Sequence, residues 1–573
     1  MSDSLVIHIF VFAYLGIMVI VGVMSKKFIH SAKDFFNGGR VLPWWVASIS
    51  LYMGAFSALS FVALGSVAFN QGVIGLLIAG GGIIGLLFAG LVLAPRWHRT
   101  GILTPIEYLE GRFGVSSRRI MAWISVIINP VATGLRLYAF AVMVNGVMGY
   151  PLVETVIVAG GIMLAYTLLG GLWAVVLTDA VQFIVLLVGL VPLLILSLLA
   201  FESAPGNYTI GDLFVETSGS LGWGWLVTWW LIEAININFS FQAIQRYCSV
   251  PTEKDAKKAA YFAGLLLIPT PFLAFIPAMV AYYLFPEING ETAFAHMATQ
   301  VLPAGLLGLM LGAMFSATMS SLDSSFNVDS GIMTNDIYAR FINQNASQEK
   351  LLMVSRYATV IAASMSISIA LILAFERTGV FEFLEILQSR WLVVLWVPFL
   401  LGIFLKRVQQ SGYFFAMFGG LFFSMVLWWL DYTPSEARLP VILSSGLFML
   451  VANWCDPAKG KEAEIVNSLF SKLKNEDEPL LPQSSEISNA KLRLIEQQNV
   501  KRNKNIFSLI GKTCLLVGLL PILAGLFSAK NSTEQAIEIT VGFIFWIIGA
   551  GLIILSRSLK PEILQFKELN NND

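Results

Sequence analysis

Between positions 316 and 327 the chain sets eight oxygen-bearing side chains in twelve residues: Ser316, Thr318, Ser320, Ser321, Asp323, Ser324, Ser325 and Asn327. They lie inside an apolar run, 302–334. Serine and threonine alone would bond back to the carbonyls of their own helix. Adding Asp323 and the nearby Asp329 makes simple packing a poor explanation, because carboxylates inside apolar helices are costly. Hydroxyls and carbonyls at helical spacing suit a hard, oxygen-preferring cation such as sodium. The bland alternative is a polar helix end that reaches the cytoplasm.

Other segments interrupt the apolar code with comparable groups. Span 43–69 places Ser48, Ser50, Gly54, Ala55, Ser57 and Ser60 near its middle. Such residues suit either tight helix packing or a locally unwound helix that turns its carbonyls toward an ion. Asp179, near the start of span 173–200, is either a first-turn acid favoured by the helix dipole or a carboxylate on an ion path. Arg136 and Arg390 both fall within spans, and an arginine in hydrocarbon needs a partner or a wet cavity. An internal ion pair to Glu233 or Glu385 would meet that need. A bidentate clamp on a solute carboxylate would meet it too. Glu385 and Gln388 precede Arg390, and the span of Glu233 also carries Asn236, Asn238, Ser240 and Gln242. With Ser57 and Ser60, these side chains form the candidate solute-binding set.

Holding such groups in place requires a membrane scaffold, and the composition supplies one. The 573 residues are 57% hydrophobic and 13% charged, with mean hydropathy +0.75. A soluble domain carries roughly 25% charged residues, so a water-soluble globule is excluded. Disordered, collagenous, nucleic-acid-binding and disulfide-scaffold classes are excluded as well. The three cysteines and four histidines form no metal or redox pattern. Asp3 stands where a signal peptide would be basic, which argues against one. Fifteen apolar spans are expected, the shortest at 151–169 and the longest at 302–334. Net charge is zero, yet placing the N-terminus outside leaves only Arg377, Arg438 and Lys530 in outer loops. The positive-inside rule therefore predicts an N-out, C-in chain, in a plasma membrane of the bacterial inner-membrane kind. The expected organisation is an N-terminal span and loop (1–42), two five-helix units of opposite topology (43–200 and 222–406), accessory spans (411–454), a polar cytoplasmic insertion (455–512) and two final spans with a tail (513–573). Stretches such as 488–503 would suit an amphipathic surface helix.

Five motifs carry a family resemblance: DFFNGGRVLPWW, TPIEYLEGRFG, GGLWAVVLTDAVQ, QAIQRYCSVPTEKDAKKAAYF and SATMSSLDSSFNVDSGIMTNDIYARF. In this order and spacing, over roughly residues 1–430, the chain resembles the sodium/solute symporter family, which holds sodium-coupled glucose, proline, pantothenate, sialate and monocarboxylate carriers. The resemblance implies an all-α, leucine-transporter-like 5+5 inverted repeat with extra terminal helices, working by alternating access. It implies sodium as the coupling ion, held by carbonyls of Met53 and Phe56, the carbonyl of Ala317 and the hydroxyls of Ser320 and Ser321. Asp179 corresponds to a family aspartate on the sodium exit path or at a second sodium site, to which Asp323 and Ser324 would add. An aspartate at 323, where a hydroxyl is usual, puts the stoichiometry in question.

The family's sugar carriers use a third-span carboxylate, whereas this chain reads LLIAGGGIIGLL there. Sialate-type members use a fourth-span arginine, the span of Arg136. An organic anion or zwitterion is therefore the expected solute, with a sugar or polyol second. The expected partners are that solute, sodium and the lipid bilayer, with no nucleic acid, in a monomer or weak oligomer. Rival classes fare worse. A channel needs a continuous polar stripe, and an enzyme needs a convergent acid–base set. A transporter-like sensor would usually carry a larger soluble domain than 455–506.

Overall fold

The computed structural model describes residues 3–25, 40–102, 104–167, 172–204, 206, 208–215, 221–455, 457, 460–474 and 489–559. The basic loop of Lys26, Lys27 and Lys33, the first residues of the DFFNGGRVLPWW motif and the stretch 475–488 lie outside these.

Among the described residues, twelve helices are long and apolar enough to cross a membrane, and one bent pair makes a thirteenth. In chain order these are α1 (Asp3–Ser25), the bent pair α2 (Trp44–Ala55) and α3 (Ser60–Gln71), α4 (Val73–Thr100), the short α5 (Pro105–Phe113), α6 (Val115–Met148), α7 (Leu152–Thr167) and α8 (Leu172–Glu202). Then come α9 (Trp223–Phe239) with α10 (Phe241–Ser249), α11 (Glu253–Leu284), the short α12 (Gly290–Val301), α13 (Ala304–Ile342), α14 (Gln348–Glu376) and α15 (Val380–Leu401). The chain ends with α16 (Gln410–Trp429), α17 (Pro434–Cys455), α18 (Gly460–Lys474), α19 (Asn489–Phe527) and α20 (Ser532–Ser558). With α7 and the interrupted α9–α10, all fifteen apolar runs of the sequence fall in helices. The run at 302–334 does continue past its apolar stretch, as α13 extends in wide π-helical turns to Ile342.

Two interruptions matter for function. Between α2 and α3 the chain bends by 58°. Phe56 is extended there (φ −105°, ψ 131°), and its N–H closes a tight turn onto the Met53 carbonyl at 3.1 Å. The second break is at Ser240 (φ −48°, ψ 117°), whose hydroxyl caps α10 by accepting the Ala243 N–H. Each break frees backbone groups from the helical ladder, and such groups are tolerated at membrane depth only where they line a cavity or are buried in protein. Gly72 permits the tight turn from α3 into α4, at φ 60°, a region open to glycine at little cost.

The apolar glycines of α4 have a packing role. A Cβ on Gly81 would stand 2.7 Å from the Trp230 Cα and 2.8 Å from the Glu233 Cβ; one on Gly85 would stand 2.4 Å from Ile237. Bare glycine backbone thus lets α9 press directly onto α4.

Within the stretch 488–503, the described residues 489–503 do not form a separate surface helix. They belong to α19, which runs without a break into the apolar stretch that follows. The physical reason is continuity of helix propensity: no proline or glycine separates the polar stretch from the apolar one before Gly511. Ahead of it, α18 lies under the ends of α4 and α5, where Arg99 Nη1 donates to the Leu473 carbonyl at 2.5 Å.

Candidate functional site

The α2–α3 break faces the middle of α13. Ser321 Oγ donates to the Phe56 carbonyl at 3.2 Å, and Thr318 Oγ accepts the Ala58 N–H at 3.0 Å. Two of the residues expected to share an ion, Phe56 and Ser321, therefore touch. Ala317 is buried one turn before Ser321. The Met53 carbonyl keeps one lone pair after accepting Phe56. Ser320 turns to Asp179 and donates to its Oδ1. A hydroxyl that gives its proton to a carboxylate still offers lone pairs to a cation.

Asp179 is 1% exposed. Its Oδ2 accepts Ser50 Oγ at 2.5 Å. Arg246 joins this group from α10: its Nε reaches Ser50 Oγ at 3.2 Å and its Nη2 reaches Ser324 Oγ at 3.1 Å. The result is a buried network in which one guanidinium and one carboxylate are bridged by serines. Asp323 stands apart from it and accepts the Thr167 hydroxyl of α7. The expected trio of Asp179, Asp323 and Ser324 is thus divided, because Asp323 lies one residue, about 100° of helix, away from Ser324. By the positive-inside count, which leaves only Arg377, Arg438 and Lys530 outside, Arg246 falls among the inner basic residues. Only its position in the QAIQRYCSV motif, directly after a polar-interrupted span, hinted otherwise.

Beside the break lies a cavity of about 310 Å³. Ser57, Ser60, Arg136, Asn236, Ser240, Gln242 and Gln388 of the candidate solute set line it. Arg136 Nη1 donates to Ser325 Oγ at 3.1 Å, and Gln242 Nε2 approaches the same oxygen at 3.2 Å. Ser325 Oγ in turn donates to the Ser321 carbonyl at 2.9 Å. The cavity wall is therefore two hydrogen bonds from Ser321. Among the described residues no carboxylate comes within ion-pair distance of Arg136. Asp329, one turn beyond Ser325, bonds instead to Asn129 Nδ2 at 2.7 Å. On another wall Glu233 accepts Gln388 Nε2 at 2.8 Å and Asn236 Nδ2 at 3.4 Å. The third span brings no carboxylate to this wall; Glu233 comes from the helix packed on Gly81.

Three members of the candidate set are not in the cavity wall. Asn238 bonds to the Gly85 and Ala234 carbonyls at 3.0 and 2.7 Å. Arg390 donates to the Tyr432 carbonyl. Glu385 pairs with Arg438 at 2.5 Å and accepts Trp225 Nε1 at 3.0 Å. Helical geometry explains the split, since residues two apart, such as 236 and 238 or 388 and 390, point to roughly opposite sides. Arg438 itself, which charge counting puts in an outer loop, is fully buried against the stacked Trp225 and Trp229 rings, 5.1 and 5.2 Å from their centroids. Its pairing with Glu385 and its contact with two indole faces compensate the charge away from water.

Two clasps lie outside the spans. Glu110 of α5 accepts Arg118 Nη1 at 2.6 Å and Arg340 Nη2 at 2.5 Å, tying α5 and the start of α6 to the far end of α13. Burial works to raise this carboxyl, but the two guanidinium groups outweigh it and hold it below the ordinary range. On α12, Glu291 accepts the Val380 and Phe381 N–H groups at the start of α15, at 2.5 and 3.3 Å. There burial dominates and raises the carboxyl despite those bonds.

The described fold, two interrupted helices around a polar cavity, has known counterparts. The sodium:solute symporter family profile matches residues 35–209 and 260–420, more than half of the chain. The chain belongs to the sodium:solute symporter family. A sodium/glucose cotransporter of Vibrio parahaemolyticus is 27% identical over 471 residues, covering 74% of this chain and 84% of its own length. The sodium/sialic acid symporter SiaT of Proteus mirabilis is 27% identical over 429 residues, covering 70% and 85%. Among solved structures, a substrate-bound, outward-open sodium-coupled sialic acid symporter superposes with TM-score 0.67 at 22% identity, over 79% of this chain and 98% of that one. Mhp1, a nucleobase-cation-symport-1 family transporter in a closed conformation, gives 0.56 at 15% identity, over 77% and 99%. The architecture is thus the leucine-transporter-type fold. This symporter-family chain is a multi-pass membrane transporter of the sodium-coupled kind, and not an enzyme.

Proposed function

We propose that this symporter imports a small organic solute bearing a carboxylate, an anion or a zwitterion, with sodium as the driving ion. The observation that carries this reading is Arg136. It stands in the cavity wall with a serine as its hydrogen-bonded partner and no carboxylate within ion-pair reach among the described residues. A solute carboxylate would complete its guanidinium bidentately. An ammonium or hydroxyl on the same solute would meet Glu233, Gln388 and Asn236. A sugar or polyol is the second reading, favoured by that same hydrogen-bonding cluster and by the likeness to sodium/glucose cotransporters.

Sodium would bind at the α2–α3 break through the Met53 and Phe56 carbonyls, the Ala317 carbonyl and the hydroxyls of Ser320 and Ser321. Ser321 donates to the Phe56 carbonyl; with an ion bound, both oxygens would turn to it. The bound ion draws α2–α3 and α13 together, and the Ser321–Ser325–Arg136 chain passes that arrangement to the cavity. Coupling then follows from differential ion affinity for two arrangements of these helices. Release runs inward past Asp179 and Ser324, where the Arg246 guanidinium supplies positive charge. In this orientation the N-terminus is outside and the C-terminus cytoplasmic. One charge crossing 100 mV supplies about 2.3 kcal/mol, and a roughly tenfold sodium gradient adds about 1.4 kcal/mol. Together they sustain accumulation of several hundredfold.

The test is a thermal-shift screen of organic acids, amino acids, sugars and polyols with and without sodium. The reading predicts a carboxylate-bearing solute that stabilises the protein only with sodium, and whose effect is lost in Arg136→Gln. Stabilisation by neutral sugars alone, unaltered in Arg136→Gln, would transfer the assignment to the second reading.

A further inference from the structure

The last two helices, α19 and α20, lie beyond the residues matched by the family profile, 35–209 and 260–420, yet they grip the outer end of α13. Pro303 precedes α13 and offers no side-chain cap. The N–H of Gly305, left free of the helical ladder, is taken by Glu538 Oε1 of α20 at 2.9 Å. Glu538 is 1% exposed. The fit is close: a Cβ on Gly305 would stand 2.4 Å from Ala524 of α19 and 2.6 Å from Glu538 Oε1. Two further glycines continue this ridge down α13. Gly308 lies against Ile7 and Phe10 of α1, and Gly312 against Tyr14. At the tip of the α19–α20 hairpin, Lys530 pairs with Asp3 at the start of α1 at 2.5 Å.

We infer that Glu538 is a positioning residue for sodium binding: from the appended hairpin it caps and anchors the helix whose middle carries Ala317, Ser320 and Ser321. A carboxylate at a helix N-terminus satisfies orphan donors and complements the positive end of the dipole. It therefore fixes how far α13 stands along its axis. Ser321 must meet Phe56 across the α2–α3 break, so a slide of α13 by a fraction of a turn separates the two. The solute cavity takes Ser325, Val328 and Asp329 from α13 but most of its lining from other helices. Loss of the anchor falls first on the ion.

This inference rests on the proposed sodium site, and the experiment separates the two. Half-saturating sodium and solute KM at saturating sodium are measured in proteoliposomes for wild type, Glu538→Gln, Glu538→Ala and Ser321→Ala. Glutamine keeps an acceptor for Gly305 and loses the charge; alanine loses both. Half-saturating sodium is expected to rise about threefold in Glu538→Gln and about tenfold in Glu538→Ala, the scale of a partly buried charge at a helix end. Solute KM at saturating sodium stays within twofold. If Glu538→Ala does not yield folded protein, Glu538→Gln decides alone. A folded Glu538→Gln with unchanged sodium dependence overturns the inference, as does a parallel loss of sodium and solute affinity, which would mark a merely structural contact. If Ser321→Ala also leaves sodium dependence unchanged, the ion-site reading fails with it.

Discussion

Removing a single hydroxyl, Ser321→Ala, probes the ion site at its best-defined point. In the structure this hydroxyl lies 3.2 Å from the Phe56 carbonyl, so it has two duties. With sodium bound it would serve as a ligand, and a hydroxyl held to a charge is worth about 1.5–3 kcal/mol. Without sodium it satisfies a buried carbonyl at a helix break, and losing that partner costs the ion-free state about 1 kcal/mol. The two effects oppose each other, leaving a net loss of about 0.5–2 kcal/mol of ion binding, or roughly 2- to 30-fold in half-saturating sodium. Initial-rate uptake as a function of sodium concentration, at saturating solute, gives this number directly. Thr318→Val is the companion variant: it removes the acceptor for Ala58 N–H on the same helix without touching a proposed ligand, and should shift sodium dependence less. A Ser321→Ala protein whose half-saturating sodium moves by less than twofold would refute the assignment of this hydroxyl to the ion.

Other consequences follow from the same geometry. Arg136→Gln should raise KM for a carboxylate-bearing solute by about 10- to 100-fold, the scale of a charged hydrogen-bonded pair. Arg390→Gln should leave KM within twofold, because Arg390 is turned to Tyr432; uptake kinetics of both variants check this. Gly81→Val should force α4 from α9 and displace Glu233. Overpacking of this kind costs about 1–3 kcal/mol, visible as a lower melting temperature and a raised solute KM. The Glu110 clasp gives a pH dependence. Its carboxyl is held below the ordinary value in the folded protein, so its stabilising contribution is complete above about pH 4.3. That contribution is lost as pH falls through the lower, folded value. Melting temperature should decline over that acid range, and Glu110→Gln should flatten the decline while lowering stability at neutral pH.

The oxygen-rich stretch 316–327 and the interrupted span 43–69 are each legible as sites because their residue types are costly in hydrocarbon and need a reason to be there; only the family resemblance pairs them. The bundle itself was legible from apolar run length. What the sequence left open was facing. Asn236 and Asn238, or Gln388 and Arg390, read alike in composition, and only the helix phase sends one to the cavity and the other to a neighbouring carbonyl. Charge counting also misplaced Arg246 and Arg438. Both sit near span ends where a few residues of boundary error change a loop cation into a buried one, and both are compensated by groups distant in sequence, Ser50 and Glu385. Glu233 could be seen as a possible ion-pair partner, but its place depends on three-dimensional packing against Gly81. The anchoring of α13 by Glu538 had no local signal either: a lone glutamate near the start of a terminal span reads as a helix-end acid.

The most direct measurement is entry of radioactive sodium into proteoliposomes, recorded with and without a panel of carboxylates, zwitterions and sugars outside. The structure leads us to expect at least one carboxylate-bearing solute that accelerates sodium entry and is itself accumulated against its gradient. Acceleration should be weakened in Arg136→Gln at low solute and in Ser321→Ala at low sodium. Solute uptake that proceeds at the same rate without sodium, and sodium entry that no solute accelerates, would contradict sodium-coupled symport through this site.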